Sequence, residues 1–425
     1  MSELENWIWF SSLNHLRSRT RIALLERFGG AKEIYFAEEQ ALRKTEGIQE
    51  TELSALLNRD TASAAQTLSR CGELGVDLIT LRDAAYPERL RSIPDPPCVL
   101  YVKGRLPAVD SEMLIAVVGT RRCTPYGEKM ARNIAYEIAS GGGIVVTGLA
   151  AGIDSRAAEG ALMAGGTVVG VLGVAINDVY PKYNGRLYAD VCAAGALVSE
   201  YPPDARGGPE NFPRRNRIMA GLSVGAVVAE APLRSGALIT ARFALDYGRD
   251  VFAVPGNADA PASRGCNQLL REGAIIAECG ADVLREYAAR FPEKLSDPPE
   301  KNRTLPDSYA IPEENRNAEA RAEPEKKGAF WRFRTKNRAR PEPDEMAKPE
   351  PKAKQPTLLQ TQLESLNEAQ LKIVSALKDP DMHIDDIVDA SGLPAATVLS
   401  ELTMLQIKGY VTQRPGKRFS LNIAK

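Results

Sequence analysis

Arginines concentrate in one short segment of the chain, NFPRRNRIMAGLS. The segment places Arg214, Arg215 and Arg217 around Asn216, directly behind Phe212. Guanidinium groups bind phosphate oxygens through paired hydrogen bonds, and an exposed aromatic ring can stack on an unpaired base. The chemistry that these residue types could perform is therefore the binding of a polyanion such as a single-stranded nucleic acid. Whether Phe212 stacks on a ligand or plugs the core beneath its loop stays open, and Arg217 is expected only to brace the loop.

A second basic segment is GTRRCTPYG, which follows a strand-like apolar run. Thr124 and Pro125 are typical of an N-cap and a first helical residue, so Arg121 and Arg122 stand just ahead of a predicted helix. A helix start attracts anions, and two guanidinium groups beside it strengthen that attraction. The segment lacks the GxGxxG spacing of a dinucleotide site, and the chain contains no P-loop sequence. We therefore expect side chains here to hold a backbone phosphate.

Further polar residues follow other strand-like runs. The segment YPKYNGRLY contributes Lys182 and Asn184, and APLRSGALITAR contributes Arg234 and Ser235, the latter expected to cap a helix. The predicted nucleic-acid-binding residues are Gly119, Arg121, Arg122, Lys182, Asn184, Phe212, Arg214, Arg215, Asn216, Ser235, Gly236 and Thr240.

Carboxylates and histidines do not form a catalytic pattern in the sequence. Asp154 is interpreted as a helix cap, which is a commoner role at a helix start than a catalytic one. Glu200 and Glu230 end strand-like runs, where they could pair with the arginines, and we predict no acid–base role for them. The two histidines, His15 and His383, lie far from the central region. We therefore predict no enzyme activity, no catalytic residue, no metal and no cofactor.

The elements that must position these residues are short apolar runs that alternate with helical patterns. The runs are LIAVVG, GIVVTG, TVVGVLG, ALVSE, GAVVAEA and DVFAVPG. Continuous apolarity is typical of parallel strands that are covered on both faces, and alternation with crossover helices predicts a Rossmann-like, doubly wound α/β sheet. Ligands bind such sheets at the carboxyl ends of the strands. The basic segments all follow those ends, so we expect them at one edge.

Regions of different composition flank this sheet in a chain of 425 residues. Residues 1–80 predict a small helical domain, like a SAM or helix-hairpin-helix domain, whose TEGIQ turn we interpret as serving packing more than DNA contact. Residues 81–290 predict the Rossmann-like core, entered through an extended, proline-punctuated segment, YPERLRSIPDPPCVLYVKGRL. Residues 291–361 are rich in Pro, Glu and Lys and predict a disordered linker. Residues 362–425 predict a winged helix.

Two features of the flanks stay open. The linker segment FWRFRTKNRAR interleaves aromatics with arginines, which could give an accessory contact to a single strand or merely balance acidic neighbours. The winged helix offers few base-reading side chains on its third helix, which favours protein binding over duplex recognition.

Composition restricts the partners of the protein. The formal net charge is −1, so any basic surface must be local. Six scattered cysteines favour reduced thiols in a cytoplasm over a disulfide framework. The sequence shows neither a signal peptide nor an apolar run of spanning length. We expect a cytoplasmic protein without membrane contact.

Ordered motifs from about residue 86 to 280 resemble the DNA-processing protein A family (DprA, also called Smf). They are AVVGTRRCTPYG, TGLAAGID, YPKYN, SEYPP, NFPRRNRIMAGLS, EAPLRSGALITARFALDYGRDVFAVPGN and SRGCNQLLREGA. The resemblance implies a dimerising Rossmann-like core that binds single-stranded DNA without sequence preference and hands it to the RecA recombinase during natural transformation. It implies no enzyme activity. It implies DNA contact at Arg121, Lys182 and the Phe212, Arg214 and Asn216 region.

The sequence departs from the family pattern at two places. Ala158 and Glu159 replace a common His-Arg pair, and Ala175 and Asn177 replace a glycine and an aspartate. We expect an altered site and not an inactive one. The alternative function is an enzyme that cleaves nucleoside monophosphates on a related fold. PLRSGALITA lacks the glycine run and the following glutamate of such an enzyme's PGGxGT-type loop.

Overall fold

The computed structural model describes residues 2–13 and 15–296, and parts of the C-terminal region. Those parts are residues 368–377, 382–394, 397–398, 401–402, 405–406, 411–414 and 418–421. The chain divides into two compact units, Met1–Arg334 and Thr335–Lys425, which are described separately.

The first unit begins with six helices, as the sequence predicts. They are α1 (Glu3–Ser12), α2 (Ser18–Phe28), α3 (Ala31–Phe36), α4 (Glu39–Arg43), α5 (Glu50–Leu57) and α6 (Ala62–Leu74). The TEGIQ turn joins α4 to α5. Arg17, the residue before α2, donates to the carbonyl oxygen of Gly47 in this turn at 2.6 Å and pairs with Glu52 of α5 at 2.8 Å. These internal contacts favour the packing interpretation of the turn.

Strand β1 (Asp77–Thr80) follows the helices. The next segment, residues 86–106, is not wholly extended, contrary to the prediction, because it contains a short helix α7 (Glu88–Arg91) before strand β2 (Val99–Gly104). Strand β1 pairs with β2, and β2 pairs with the central sheet. One apolar core also runs without a break from Trp7 and Phe10 of α1 to Val117 of the central sheet. The helices therefore pack directly on the sheet, and the boundary at residue 80 stays a prediction.

The central sheet contains all six predicted strands. Its strands are β3 (Leu114–Gly119), β4 (Ile144–Thr147), β5 (Val168–Leu172), β6 (Ala196–Ser199), β7 (Gly225–Glu230), β8 (Asp250–Ala253) and β9 (Ile275–Ile276). The helices between and after them are α8 (Pro125–Ser140), α9 (Ile153–Met163), α10 (Gly185–Ala194), α11 (Asn211–Leu222), α12 (Ala237–Asp246), α13 (Arg264–Arg271) and α14 (Gly280–Tyr287). Strands β3 to β7 are almost completely buried, as their continuous apolarity predicts.

The strand order confirms a doubly wound sheet. The order is β1-β2-β6-β5-β4-β3-β7-β8-β9. The seven strands from β6 to β9 in this order are parallel to one another. The pairs β1–β2 and β2–β6 are antiparallel. The chain fills the sheet from β3 to β6 on one side and then returns to place β7 on the other side of β3. This reversal opens a crevice at the carboxyl ends of β3 and β7.

The described part of the second unit has the elements of the predicted winged helix. It contains α15 (Glu368–Ala376), β10 (Met382–His383), α16 (Ile384–Ser391) and a hairpin of β11 (Val411–Arg414) and β12 (Arg418–Leu421). The strands form a sheet in the order β10-β12-β11. Buried Ile373, Ile387 and Phe419 contribute to its separate core. Among the described residues, no helix is both long and apolar enough to cross a membrane.

The folded first unit extends beyond the predicted start of the linker. Phe291 is buried, and Lys294 forms an ion pair with Glu112 at 2.6 Å. Residues 291–296 therefore pack on the core, and the linker does not begin at residue 291. The rest of the predicted linker, including FWRFRTKNRAR, lies outside the described residues.

Helices α8 and α9 cross at very close range, at Gly160. A Cβ atom on Gly160 would overlap the carbonyl oxygen of Arg132 in α8. A residue with a side chain at this position would force the helices apart. This packing fixes the position of α9, whose first turn forms part of the crevice.

We predict that Gly160→Ala lowers the free energy of unfolding by about 2 kcal/mol, because overpacked interfaces typically lose about 1–3 kcal/mol. The matched control is Gly72→Ala in α6, where an added Cβ meets no atom within 4 Å. That substitution should stabilise the protein by about 0.5–1 kcal/mol, since alanine is the better helix former. Urea unfolding of both variants measures the two changes. Equal changes in the two variants would contradict this account of the helix crossing.

Candidate nucleic-acid interface

A cleft of about 880 Å³ lies at the crevice between the carboxyl ends of β3 and β7. Asp154 and Arg234 contribute to its lining. The lining also includes nine of the twelve predicted binding residues, namely Gly119, Arg121, Arg122, Phe212, Arg215, Asn216, Ser235, Gly236 and Thr240. The fold thus brings together residues from three separate segments of the sequence.

Arg121 and Phe212, which line the cleft, contact a second aromatic ring, that of Tyr180, which lies outside the lining. The guanidinium carbon of the exposed Arg121 lies 4.9 Å from the ring centroid of Phe212 and 5.8 Å from that of Tyr180. The two ring centroids are 5.2 Å apart. Phe212 is half-buried against Gly173, so it partly fills the loop while its ring still contacts Arg121. Sequence reasoning missed Tyr180, although an aromatic residue beside the basic segment PKYNGR was an available signal.

The loop after β3 is fixed by a cap, as predicted. Thr124 is the N-cap of α8, and its hydroxyl oxygen accepts from the backbone N–H of Gly127 at 3.2 Å. The backbone N–H and the hydroxyl of Thr124 donate to the buried Glu230 carboxylate at 2.8 and 2.6 Å. Glu230 therefore secures this cap, and within the described part of the chain it forms no ion pair with an arginine, which the sequence had left open. The two arginines of the loop, Arg121 and Arg122, are exposed.

Asp154 is not the cap of α9, contrary to the prediction. The N-cap is Gly152, which has a φ of +77°. A Cβ atom added there would lie 2.5 Å from the carbonyl oxygen of Thr120 and 2.6 Å from that of Arg121, so this position requires glycine. Asp154 lies in the first helical turn, where its side chain is buried. The Thr147 hydroxyl at the end of β4 donates to the backbone carbonyl oxygen of Asp154 at 3.3 Å, so the start of α9 contacts the end of β4.

Burial shifts the pKa values of two charged groups in the cleft floor, Asp154 and Arg215. Burial raises the pKa of Asp154, and the neighbouring Arg215 and Arg121 guanidinium groups oppose this effect. Burial also lowers the pKa of Arg215, while Asp154 opposes that change. The two buried charges therefore stabilise each other's ionised forms.

The three arginines of helix α11 occupy different environments. Arg215 is 4% exposed and donates to the carbonyl oxygens of Gly148 (2.9 Å) and Val171 at the ends of β4 and β5. Arg217 is buried and pairs with Glu200 at 2.7 Å and with Asp95 at 3.1 Å, which is the bracing role expected for it. Burial alone would lower the pKa of Arg217, but these two carboxylates hold it above its usual value.

Arg214 and two further predicted residues lie outside the cleft lining. Arg214 is exposed, with its Nε 3.6 Å from Glu200. Lys182 is also exposed and pairs with Asp178 at 2.5 Å. Asn184 is buried and donates to the carbonyl oxygen of Leu149 (3.0 Å) and the hydroxyl of Ser155 (2.9 Å), so it braces the loop after β4. The binding roles of these residues stay predictions.

The start of helix α12 forms the opposite side of the cleft. Its N-cap is Gly236 and not Ser235, although the Ser235 hydroxyl oxygen accepts from the N–H of Ala237 at 3.3 Å. Asn216 donates to the carbonyl oxygen of Gly236 at 3.2 Å and so links α11 to this turn. The Thr240 hydroxyl is buried in the cleft lining and has no hydrogen-bond partner among the described residues.

The departures from the family pattern lie outside the cleft lining. The buried Glu159 carboxylate pairs with Arg156 at 2.9 Å and with Arg132 of α8 at 3.7 Å. Asn177 donates to the Asp204 carboxylate at 2.7 Å and accepts from the Asp204 N–H at 2.9 Å. In this protein Glu159 therefore serves the α8–α9 packing, and Asn177 fixes the neighbouring loop.

We predict that Arg217→Ala lowers the free energy of unfolding by about 3 kcal/mol or more, because it removes the ion-pair partner of Asp95 and leaves Glu200 with only its longer contact to Arg214. Arg214→Ala is the matched control, since Arg214 also approaches Glu200 but from solvent. It should cost less than about 1 kcal/mol, as exposed ion pairs do. Chemical unfolding of both variants measures the difference, and similar losses would contradict the distinction between the two arginines.

Comparison with known proteins identifies the family. The family model described as DNA recombination-mediator protein A matches residues 77–288, and that described as DprA winged helix domain matches residues 348–417. Protein Smf of Synechocystis sp. is 32% identical over 422 residues, which are 98% of each chain. DNA processing protein DprA of Streptococcus pneumoniae is 41% identical over 212 residues, covering 49% of this chain and 73% of the relative.

A solved structure agrees with these matches. The X-ray structure of DNA processing protein A from Streptococcus pneumoniae is 32% identical and covers 67% of this chain and 99% of its own, with a TM-score of 0.60. The fold, the ordered motifs and the match along almost the whole length of a relative all agree. The chain belongs to the DNA processing protein A family, also named Smf.

Proposed function

We propose that this protein binds single-stranded DNA without sequence preference, in the cleft between β3 and β7, and acts as a recombination mediator. The observation that carries the proposal is the position of Arg121, over the rings of Phe212 and Tyr180 at the cleft mouth. A cation beside aromatic faces suits a ligand with alternating phosphates and accessible bases. Bases in a duplex are paired and stacked, so single strands fit this chemistry better.

The charge distribution supports binding of a polyanion. Arg121, Arg122, Lys182, Arg214 and Arg234 are exposed and follow the carboxyl ends of their strands. The net charge of the whole chain is −1, so this basic edge is a local feature that can steer a nucleic acid to the cleft. Contacts to phosphates carry no sequence information, which is consistent with binding that lacks sequence preference.

We propose that the protein acts by binding and not by catalysis. The strand-ending carboxylates Glu200 and Glu230 are engaged by Arg217 and Thr124, which leaves them poorly placed for acid–base chemistry. The expected result of incubation with nucleoside monophosphates is no release of free base. Base release by wild type would favour the nucleotide-cleaving alternative.

The mediator role has two further parts, which rest on family membership. We propose that the protein forms a homodimer through its Rossmann-like core and loads RecA onto incoming DNA in the cytoplasm during natural transformation. RecA ATPase activity on DNA coated with single-strand-binding protein tests the loading. The protein should shorten the lag before ATP hydrolysis, and an unchanged lag would contradict the proposal.

We predict that replacing Arg121, Lys182 and Arg214 together by alanine weakens single-stranded DNA binding at least about tenfold at low salt. Three lost phosphate contacts should also reduce the slope of log affinity against log salt by about 2, since each contact contributes about 0.7. Fluorescence anisotropy at several salt concentrations measures both changes. All three side chains are exposed, so the fold should survive their truncation.

The matched control removes three exposed positive charges from the helical domain, by alanine at Arg19, Lys32 and Arg43. This variant has the same net charge as the triple variant of the cleft edge. Its affinity and salt dependence should stay close to wild type. Equal binding by wild type and the variant lacking Arg121, Lys182 and Arg214 would overturn the proposed site.

A further inference from the structure

Side chains from three separate segments of the chain meet at the carboxylate of Asp204. One carboxylate oxygen accepts from the Nε of Arg70, in helix α6, at 2.9 Å. The other oxygen accepts from the side-chain amide of Asn177, in the loop after β5, at 2.7 Å. Asp204 itself lies in the loop after β6. These three residues, called the Asp204 link below, therefore connect the helical domain to two loops of the central sheet.

Both of the loops that meet at Asp204 lead to the cleft. The loop after β6 ends with Pro209 and Glu210, which line the cleft, and continues into Phe212. The loop after β5 carries Tyr180, whose ring packs on that of Phe212. Asp204 does not belong to the cleft lining. The Asp204 link can therefore affect the cleft only through the position of these two loops.

The two loops are joined near the sheet by hydrogen bonds of their own. The Ile176 N–H donates to the carbonyl oxygen of Tyr201 at 3.3 Å, and the Ser199 hydroxyl donates to that of Val174 at 2.7 Å. Asp204 lies farther along its loop and has a φ of +60°, a left-handed conformation that is costly for a residue with a side chain. The ordering contacts of the Asp204 carboxylate explain why this position carries a side chain.

Asn177 has the residue type that the Asp204 link requires. Its side chain donates to the Asp204 carboxylate and also accepts from the Asp204 N–H at 2.9 Å. An aspartate at this position, as in the family pattern, would have no amide donor and would place a second carboxylate against the first. The hydrogen bonds from Asn177 and Arg70 hold the pKa of Asp204 below its usual value. The departure at residue 177 thus matches the contact between Asp204 and helix α6.

We propose that Arg70, Asn177 and Asp204 are positioning residues of the DNA site, through which helix α6 holds the loops after β5 and β6 in the arrangement that binds a single strand. This inference rests on the proposed function and deepens it, because it gives the helical domain a part in DNA binding without contact to DNA. Loops that are ordered before the ligand arrives lose less free energy on binding. Breaking the link should therefore weaken binding, although no residue of the cleft lining is changed.

Asp204→Asn tests the Asp204 link. Asparagine tolerates the left-handed conformation and can still accept from Asn177, but it cannot form the ion pair with Arg70. Charge alone predicts tighter binding by this variant, because a negative charge is removed from a protein that binds a polyanion. The proposal predicts the opposite sign. Binding should weaken by about threefold, which is the size of effect that one exposed ion pair can supply. Fluorescence anisotropy with a single-stranded oligonucleotide measures the affinity.

Glu73→Gln is the matched control. Glu73 is the second carboxylate partner of Arg70, at 2.8 Å, so this variant removes the same charge beside the same arginine and leaves Asp204 in place. It should bind DNA at least as tightly as wild type. The double variant Arg70→Ala with Asp204→Asn has the net charge of wild type and lacks the ion pair. It should bind as weakly as Asp204→Asn alone, whereas charge alone predicts wild-type affinity.

Amide hydrogen exchange in the free protein separates loop positioning from a general loss of stability. Asp204→Asn should speed exchange in residues 173–181 and 200–210 and leave strands β3 to β7 unchanged. Both residues of the ion pair are partly exposed, so the midpoint of thermal unfolding should stay close to that of wild type.

The outcomes separate the Asp204 link from the proposed function. Binding by folded Asp204→Asn that equals or exceeds that of wild type, or unchanged exchange in both loops, would overturn the link while DNA binding stands. Wild-type affinity of the double variant would overturn it as well. If wild type does not bind the oligonucleotide, the proposed function itself is wrong, and the role of the link is wrong with it.

Discussion

The floor of the cleft depends on one buried cation, the guanidinium group of Arg215. It donates to the carbonyl oxygens of Gly148 and Val171, at the ends of β4 and β5. Its Nε also donates to the side-chain oxygen of Asn216, whose amide reaches the turn before α12. A single side chain thus joins two strand ends to the helix that carries it. An added Cβ at Gly148 would overlap the guanidinium group, so any larger residue there would displace this cation.

Around this floor, charged residues divide into two groups by burial. Arg215, Arg217 and Glu230 are buried and form hydrogen bonds or ion pairs with strand ends, a helix start and neighbouring side chains. Asp154 is also buried, and its charge and that of Arg215 oppose the effect of burial on each other's pKa. The arginines at the rim, including Arg121 and Arg234, are exposed to solvent. The buried group fixes the loops and the helix starts that carry the exposed arginines, because an ion pair inside the protein is costly to break.

The sheet could be predicted from sequence because short, continuous apolar runs between helical patterns are typical of parallel strands covered on both faces. All six runs form strands, and Thr124 and Pro125 start α8 as their types require. The roles of individual side chains were harder to predict. Arg214 and Arg215 are adjacent in sequence, yet a helix turns by about 100° per residue, so one faces solvent and the other the strand ends. Only the packing of α11 on the sheet decides which is which.

Packing between distant segments also decides the roles of the other residues that the sequence did not predict. Asp154 has the residue type of a cap, but Gly152 takes that position because its backbone lies against the loop after β3. The sequence left open a pairing of Glu230 with an arginine, whereas the backbone N–H and the hydroxyl of Thr124 donate to its carboxylate. Tyr180 carries no charge, and its place beside Phe212 is visible only in three dimensions. Local sequence patterns carry no information about contacts between distant segments.

Hydrogen–deuterium exchange with and without single-stranded DNA tests the central claim most directly. Bound DNA should slow amide exchange in the loops after β3, β4 and β7 and at the start of α11, which all contribute to the cleft lining. Exchange in helices α1 to α6 should change little. Protection confined to those helices or to the C-terminal unit, with the cleft loops unchanged, would contradict the assignment of the DNA site to the sheet edge.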